Sequence, residues 1–193
     1  FVVRVLGPLD FWWWMSANLS LLLGLSALDA GWRRALTEDA ATDLGRKLLI
    51  GALSALFLYG VFWVGNHLSR AWFGFAADGI QRVYDLAQGA ELWRITVLMA
   101  LLIGPGEELF WRVFLQRRLV ERFGPWRGLA LATLVYTAVH TPSANPMLVL
   151  AALVCGAFWG VLFLRFKSAW LNVVSHTLWD LAVFLVFPFS SSA

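Results

Sequence analysis

The chain is short of charge and nearly free of cysteine. Lysine, arginine, aspartate and glutamate supply 14% of its 193 residues, where a soluble domain carries about 25%. A water-soluble helical bundle is therefore a poor description. The single cysteine, Cys155, excludes an internal disulfide and a thiolate metal cluster. Its neighbours Leu153, Val154 and Phe158 are apolar, so it reads as a small packed side chain. Short alternating segments are missing, which argues against a membrane β-barrel. There is no His-Glu-x-x-His, so no one helix offers a metal-specific spacing. No internal repeat stands out, which leaves an inverted-repeat transporter without support. The net charge is only +3. Its basic residues sit at segment ends rather than in one patch, which excludes nucleic acid as a partner.

What the chain does have is apolar length. Hydrophobic residues make up 60% of it. Near-continuous apolar runs with brief charged punctuation predict an all-α, polytopic transmembrane helical bundle. Six spans are expected, over residues 11–29, 48–65, 92–115, 128–140, 146–166 and 169–188. Residues 67–90 are broken by Asp78, Arg82 and Asp85 and fit an amphipathic helix lying at the interface. Residues 30–47 read as a polar loop. Gly156 and Gly160 form a small-xxx-small face suited to close helix packing. The organisation expected is an N-terminal unit of two spans plus the interfacial segment (1–90), a core (91–188) and a tail (189–193).

Basic residues alternate between connections. Residues 30–47 and 116–127 each hold four, and residues 165–167 hold two. The positive-inside rule places these connections in the cytoplasm and both termini outside, consistent with an integral protein of a prokaryotic inner membrane. The same basic loops suggest a substrate route from the membrane or the cytoplasmic side.

Against this apolar background a few ionisable groups stand out. An intramembrane charge costs several kcal/mol, roughly 2.5–3.5 on insertion scales. Glu107 and Glu108 nevertheless lie side by side in one span, His140 in the next but one after the interfacial segment, and His176 with Asp180 in the last. Under the charge-derived topology Glu107, His140, His176 and Asp180 all fall near the midplane of a core about 30 Å thick. Gly104-Pro105-Gly106 precedes the glutamates, and Pro105 predicts a helix break there. Glu108 and Arg112 are i, i+4, acid first, the favourable order for an ion pair. Glu107 points about 100° away and has no such local partner. A desolvated carboxylate suits a general base, and His140 can share the activation of a water. His176 and Asp180, again i, i+4, can orient one another or stabilise an oxyanion. Together these roles describe amide hydrolysis. Tyr136, one turn before His140, reads as packing beside the site, and His67 as an interfacial group. A proton-coupled transporter and an immunity-type membrane protein without peptidase activity are the alternatives.

Glu107-Glu108-x-x-x-Arg112, Tyr136-x-x-x-His140 and His176-x-x-x-Asp180, in that order, resemble the motifs of the CAAX protease and bacteriocin-processing family of intramembrane proteases, which includes the type II CAAX prenyl endopeptidases. The resemblance covers about residues 91–188. It implies a glutamate-dependent endopeptidase in which Glu107 activates water with His140. In it His176 and Asp180 stabilise the oxyanion, and Arg112 holds Glu108. It implies a membrane-associated protein or peptide as substrate, cut near its C-terminus at a prenylated end or a sorting tail, with no metal and no cofactor. Three positions depart from the family pattern. Tyr136 stands where Phe is usual, Val113 where Gly is usual, and Asp180 where Asn is commoner. An ionised Asp180 is a poor oxyanion donor and would act through His176.

Overall fold

The computed structural model describes residues 10–189. Residues 1–9 of the expected N-terminal unit and 190–193 of the expected tail lie outside the described residues. Among those described there is no strand, as the apolar runs predict. The helices are α1 (Phe11–Ser26), α2 (Ala30–Ala40), α3 (Leu44–Trp72) and α4 (Ala76–Tyr84). A long α5 (Leu92–Phe123) follows, then α6 (Pro125–Ala138), α7 (Pro146–Phe166) and α8 (Ala169–Val186).

By length and composition α3, α7 and α8 can each cross a membrane, and two bent helix pairs raise the number to five. That differs from the six spans expected. α6 has 14 residues, about 21 Å at 1.5 Å per residue, and stops short of a 30 Å core. The segment 30–47 also differs, since most of it is α2 rather than loop. Asp29 caps α2 by accepting from the Trp32 N–H, and Trp32 tucks its indole into the core, donating to Leu109 O at 2.9 Å. α1 and α2 meet at 98°, so the polar segment folds back as a helix beneath the bundle.

The helix does not break at Pro105. α5 runs through Gly104-Pro105-Gly106 without interruption, flanked by π-helical stretches at Met99–Ile103 and Leu109–Gln116. The Gly104 N–H reaches back five residues to Met99 O, and the Arg117 N–H to Arg112 O. Proline removes one donor from an α-ladder; a π-bulge beside it re-registers the remaining bonds. The glycines serve close approach instead. A Cβ on Gly104 would lie 2.7 Å from Thr177 Oγ1 on α8, and one on Gly106 2.7 Å from Leu19 Cδ2 on α1. α5 is thereby pressed between those two helices.

All basic connections gather at one end. There Asp29 accepts from Arg117 and Arg118 at 2.8 and 2.6 Å. Asp39 takes Lys47 at 2.8 Å and also accepts from Ser168 Oγ and the Trp170 N–H, both at 3.0 Å. The other end is held by Asp10–Arg94, where the hydrogen bond from Arg94 keeps the Asp10 carboxyl below its ordinary pKa. Asn145 Nδ2 also donates to Gly79 O at 2.7 Å, docking α4 on the start of α7. The expected glycine face is used, with Gly156 against Tyr136 and Thr133 and Gly160 against Leu129 and Gln116.

The closest approach of a glycine to another segment's backbone is at the α5–α6 corner, among the described residues. A Cβ on Gly128 would lie 2.5 Å from the backbone of Val120. Gly128→Ala should cost about 1–3 kcal/mol by overpacking and lower the melting temperature in detergent. Gly60→Ala, which meets open space, should leave it unchanged.

Candidate active site

Glu107 and Glu108 sit in the short α-helical stretch Gly104–Glu108 between the two π segments. Both are buried, and adjacent residues on a helix face different neighbours. Their surroundings diverge accordingly. Glu108 is 1% exposed. Its Oε2 accepts from Arg112 Nε at 3.2 Å and from Asn172 Nδ2 at 2.9 Å, and its Oε1 lies 2.8 Å from His176 Nδ1. The ion pair expected from i, i+4 spacing is present, within a larger cluster. Glu107 instead accepts a hydrogen bond from the Tyr136 hydroxyl at 2.9 Å.

α8 supplies Asn172, His176 and Asp180 on one stripe, four residues apart. Asn172 is fully buried and bridges, donating also to Trp159 O on α7 at 2.8 Å. Trp159 stacks on the His176 ring with centroids 3.6 Å apart and planes 18° from parallel. Its own indole N–H donates to Ser175 Oγ at 3.1 Å, and Ser54 Oγ of α3 donates to the same hydroxyl at 2.9 Å. His176 is thus held in plane by Trp159 and in rotation by Glu108. The expected His176–Asp180 pairing is looser. Nε2 lies 3.5 Å from Asp180 Oδ1, too long for a strong hydrogen bond.

His140 falls beyond the last turn of α6, in the bend before Thr141–Ser143, and is half-buried. Its Nδ1 lies 2.8 Å from Tyr136 O, which turns the other edge of the ring outward. Tyr136 is wedged among the Trp111 ring, edge-on at 5.1 Å, the His140 ring at 5.0 Å and the Arg112 guanidinium at 5.4 Å.

Glu107, Tyr136, His140, His176 and Asp180 all line one cavity of about 860 Å³. Glu108 and Arg112 stand behind its wall. The rest of the lining is mostly aromatic and aliphatic, with Trp12, Phe62, Tyr84 and Phe184 among it, besides Asn18, Asn66 and Ser69. A few polar groups converging in an apolar hollow are what a small-ligand or peptide site requires. His67 lies outside it, on α3, where its Nδ1 is 2.8 Å from Trp63 O. Asn172 and Trp159 escaped the sequence reading. Asn172 carried a signal, being a buried polar group one turn before His176, whereas Trp159 is one of 12 tryptophans and carried none.

Among the described residues no group of three or more histidines, cysteines or carboxylates is placed to hold a metal ion. Glu107, His140, His176 and Asp180 could in principle supply the four ligands of a zinc, but they are not gathered into such a group.

Residues 89–182 match the family model described as type II CAAX prenyl endopeptidase Rce1-like. Just under half of the chain thus resembles this family. The matched segment holds α5 to α7 and most of α8, and so every residue singled out above for the site. The Rce1-like match supports a protease of the CAAX type in a membrane helical fold. Neither the curated proteins nor the solved structures give a match.

The Glu108 cluster makes a stability prediction. Arg112 is fully buried, and removing one partner of a buried pair costs about 3–5 kcal/mol. Arg112→Ala should sharply reduce folded protein recovered in detergent, by size-exclusion yield and thermal unfolding. An R112A protein as stable as wild type would move the arginine from architecture to chemistry.

Proposed function

We propose that this protein is an intramembrane endopeptidase that hydrolyses a peptide bond near the C-terminus of a membrane-associated protein or peptide, with Glu107 as general base. One observation carries the reading. Of two adjacent buried carboxylates, Glu108 is compensated by three side chains behind the cavity wall, while Glu107 faces the cavity with Tyr136 as its hydrogen-bond donor.

In this mechanism Glu107 takes a proton from a water as its oxygen adds to the scissile carbonyl carbon. Tyr136 occupies Oε2 and leaves Oε1 to the water, while His140 on the same wall steadies that water. The carbonyl oxygen becomes an oxyanion. His176 faces it across the cavity; as an imidazolium between two carboxylates it donates Nδ1–H to Glu108 and can turn its loosely held Nε2–H on the oxyanion, with Asp180 positioning the ring. When the C–N bond breaks, Glu107 returns its proton to the leaving amine, so the base ends as it began. A water-poor, apolar cavity strengthens each of these electrostatic terms.

Glu107→Gln should keep the fold, since Tyr136 can still donate to the amide oxygen, and should abolish cleavage. Near wild-type cleavage by E107Q would sink the assignment. The reaction as written uses no metal. Elemental analysis of active purified protein should find no stoichiometric zinc, and a chelator should leave the rate unchanged. One zinc per chain, lost together with activity, would reverse that.

A further inference from the structure

The two ends of the bundle differ in charge and in access. Arg33, Arg46, Arg117, Arg127 and Lys167 lie at one end among ten lysines and arginines; among the described residues the other end carries only Arg70, Arg82 and Arg94. The rule that basic connections stay in the cytoplasm orients the molecule with α4, the start of α1 and the end of α3 on the outer side.

The cavity leads to that outer side. Beyond the site, its walls come from Trp12 and Met15 of α1, Asn66 and Ser69 of α3, and Ile80 and Tyr84 of α4. Around its rim Asn18, Gly65, Val139 and Leu150 are exposed. The basic end has its own hollow of about 610 Å³, lined by residues such as Glu38, Arg46 and Lys167, and it contains none of the site residues. Between the two lie Arg112, Gln116, Trp159 and Asn172, each fully buried. Gln116 Nε2 donates to Gly160 O at 2.9 Å, bracing α5 on α7 across this layer. The basic loops had suggested a route from the membrane or the cytoplasmic side; this buried layer separates the cavity from the basic end.

Building on the endopeptidase reading, we propose that the substrate reaches Glu107 from the extracytoplasmic face, and that it is the apolar membrane tail of an exported protein or peptide rather than the C-terminus of a cytoplasmic one. Three features favour that occupant. The cavity is apolar over most of its wall, which suits a segment drawn from the bilayer. Its carboxylates and imidazoles belong to the site, where a backbone carbonyl is required, and none lines the outer walls. Its mouth lies on the side with few basic residues.

The test uses the full chain with Cys155→Ala, since Cys155 lines the cavity. Single cysteines are placed at the mouth, Gly65→Cys and Val139→Cys, and at the basic end, Glu38→Cys. Gly65 has open space for a side chain. In intact cells a charged, impermeant maleimide should label both mouth positions and not Glu38→Cys; inside-out vesicles should give the reverse. Modification of Val139→Cys from outside should lower cleavage at least tenfold. A reporter tail displayed on the outer face should be cut, and the same tail held in the cytoplasm should not. Mouth cysteines labelled only in inverted vesicles, or from neither side, would overturn the route, as would cleavage of the cytoplasmic reporter alone. Labelling does not depend on catalysis. An active E107Q with outside labelling would therefore fault the chemistry and leave the route standing.

Discussion

A carboxylate with 1% of its surface exposed, in the middle of an apolar bundle, has to be compensated where it stands. Glu108 is that group. Its two oxygens gather a guanidinium from its own helix and an amide and an imidazole from α8. Each of these contacts fixes something else. Arg112 lies over the Tyr136 ring, Asn172 holds the backbone of Trp159, and His176 stacks on the Trp159 indole. α5, α7 and α8 are locked at one level by this cluster. Buried ion pairs are a weak source of net stability, but leaving one incomplete is very costly, so the register of three helices is set by the need to complete it.

Glu107 takes its character from that arrangement. Because its neighbour absorbs the nearby positive charge, Glu107 keeps a single strong donor, the Tyr136 hydroxyl. The matched segment 89–182 contains all of this chemistry. The walls of the cavity, however, include α1, α3 and α4 residues such as Trp12, Phe62 and Tyr84, outside that segment. The polar cluster and much of the cavity wall thus come from different parts of the chain.

Much of this was legible in the sequence, for a physical reason. Ionisable groups in hydrocarbon are too expensive to be accidental, so Glu107, Glu108, Arg112, His176 and Asp180 announced themselves. The helical offset of four residues paired Glu108 with Arg112 before any coordinates. The exact span of α7, residues 146–166, followed from Pro146 at its first turn and an uninterrupted apolar run. What failed depended on neighbours. The segment 30–47 looked like loop because its helix is stabilised by Trp32 burial and by Asp39 contacts across the bundle. Trp159 could not be told from eleven other tryptophans, since its role lies in what stacks on it. Charge pointed to the basic loops as a substrate route, but charge reports which side faces the cytoplasm, not where packing leaves a gap.

The π-helical stretches in α5 carry a further consequence. A helix of five-residue reach holds more residues per turn than an α-helix, and α5 enters that register twice, at Met99–Ile103 and Leu109–Gln116. Each passage shifts the phase of the residues that follow by a fraction of a turn. The acidic pair rides on the short stretch between them. The face that Glu107 presents to the cavity is therefore not the one a uniform 3.6-residue winding from Leu92 would assign to it. A relative that lost one residue from either stretch could revert to plain α-helix and still present both glutamates to the same neighbours, because a π turn absorbs one extra residue. A one-residue gap in either π stretch would therefore leave the site intact, whereas the same gap inside Gly104–Glu108 would turn the acidic pair by about a quarter of a turn with nothing to absorb it.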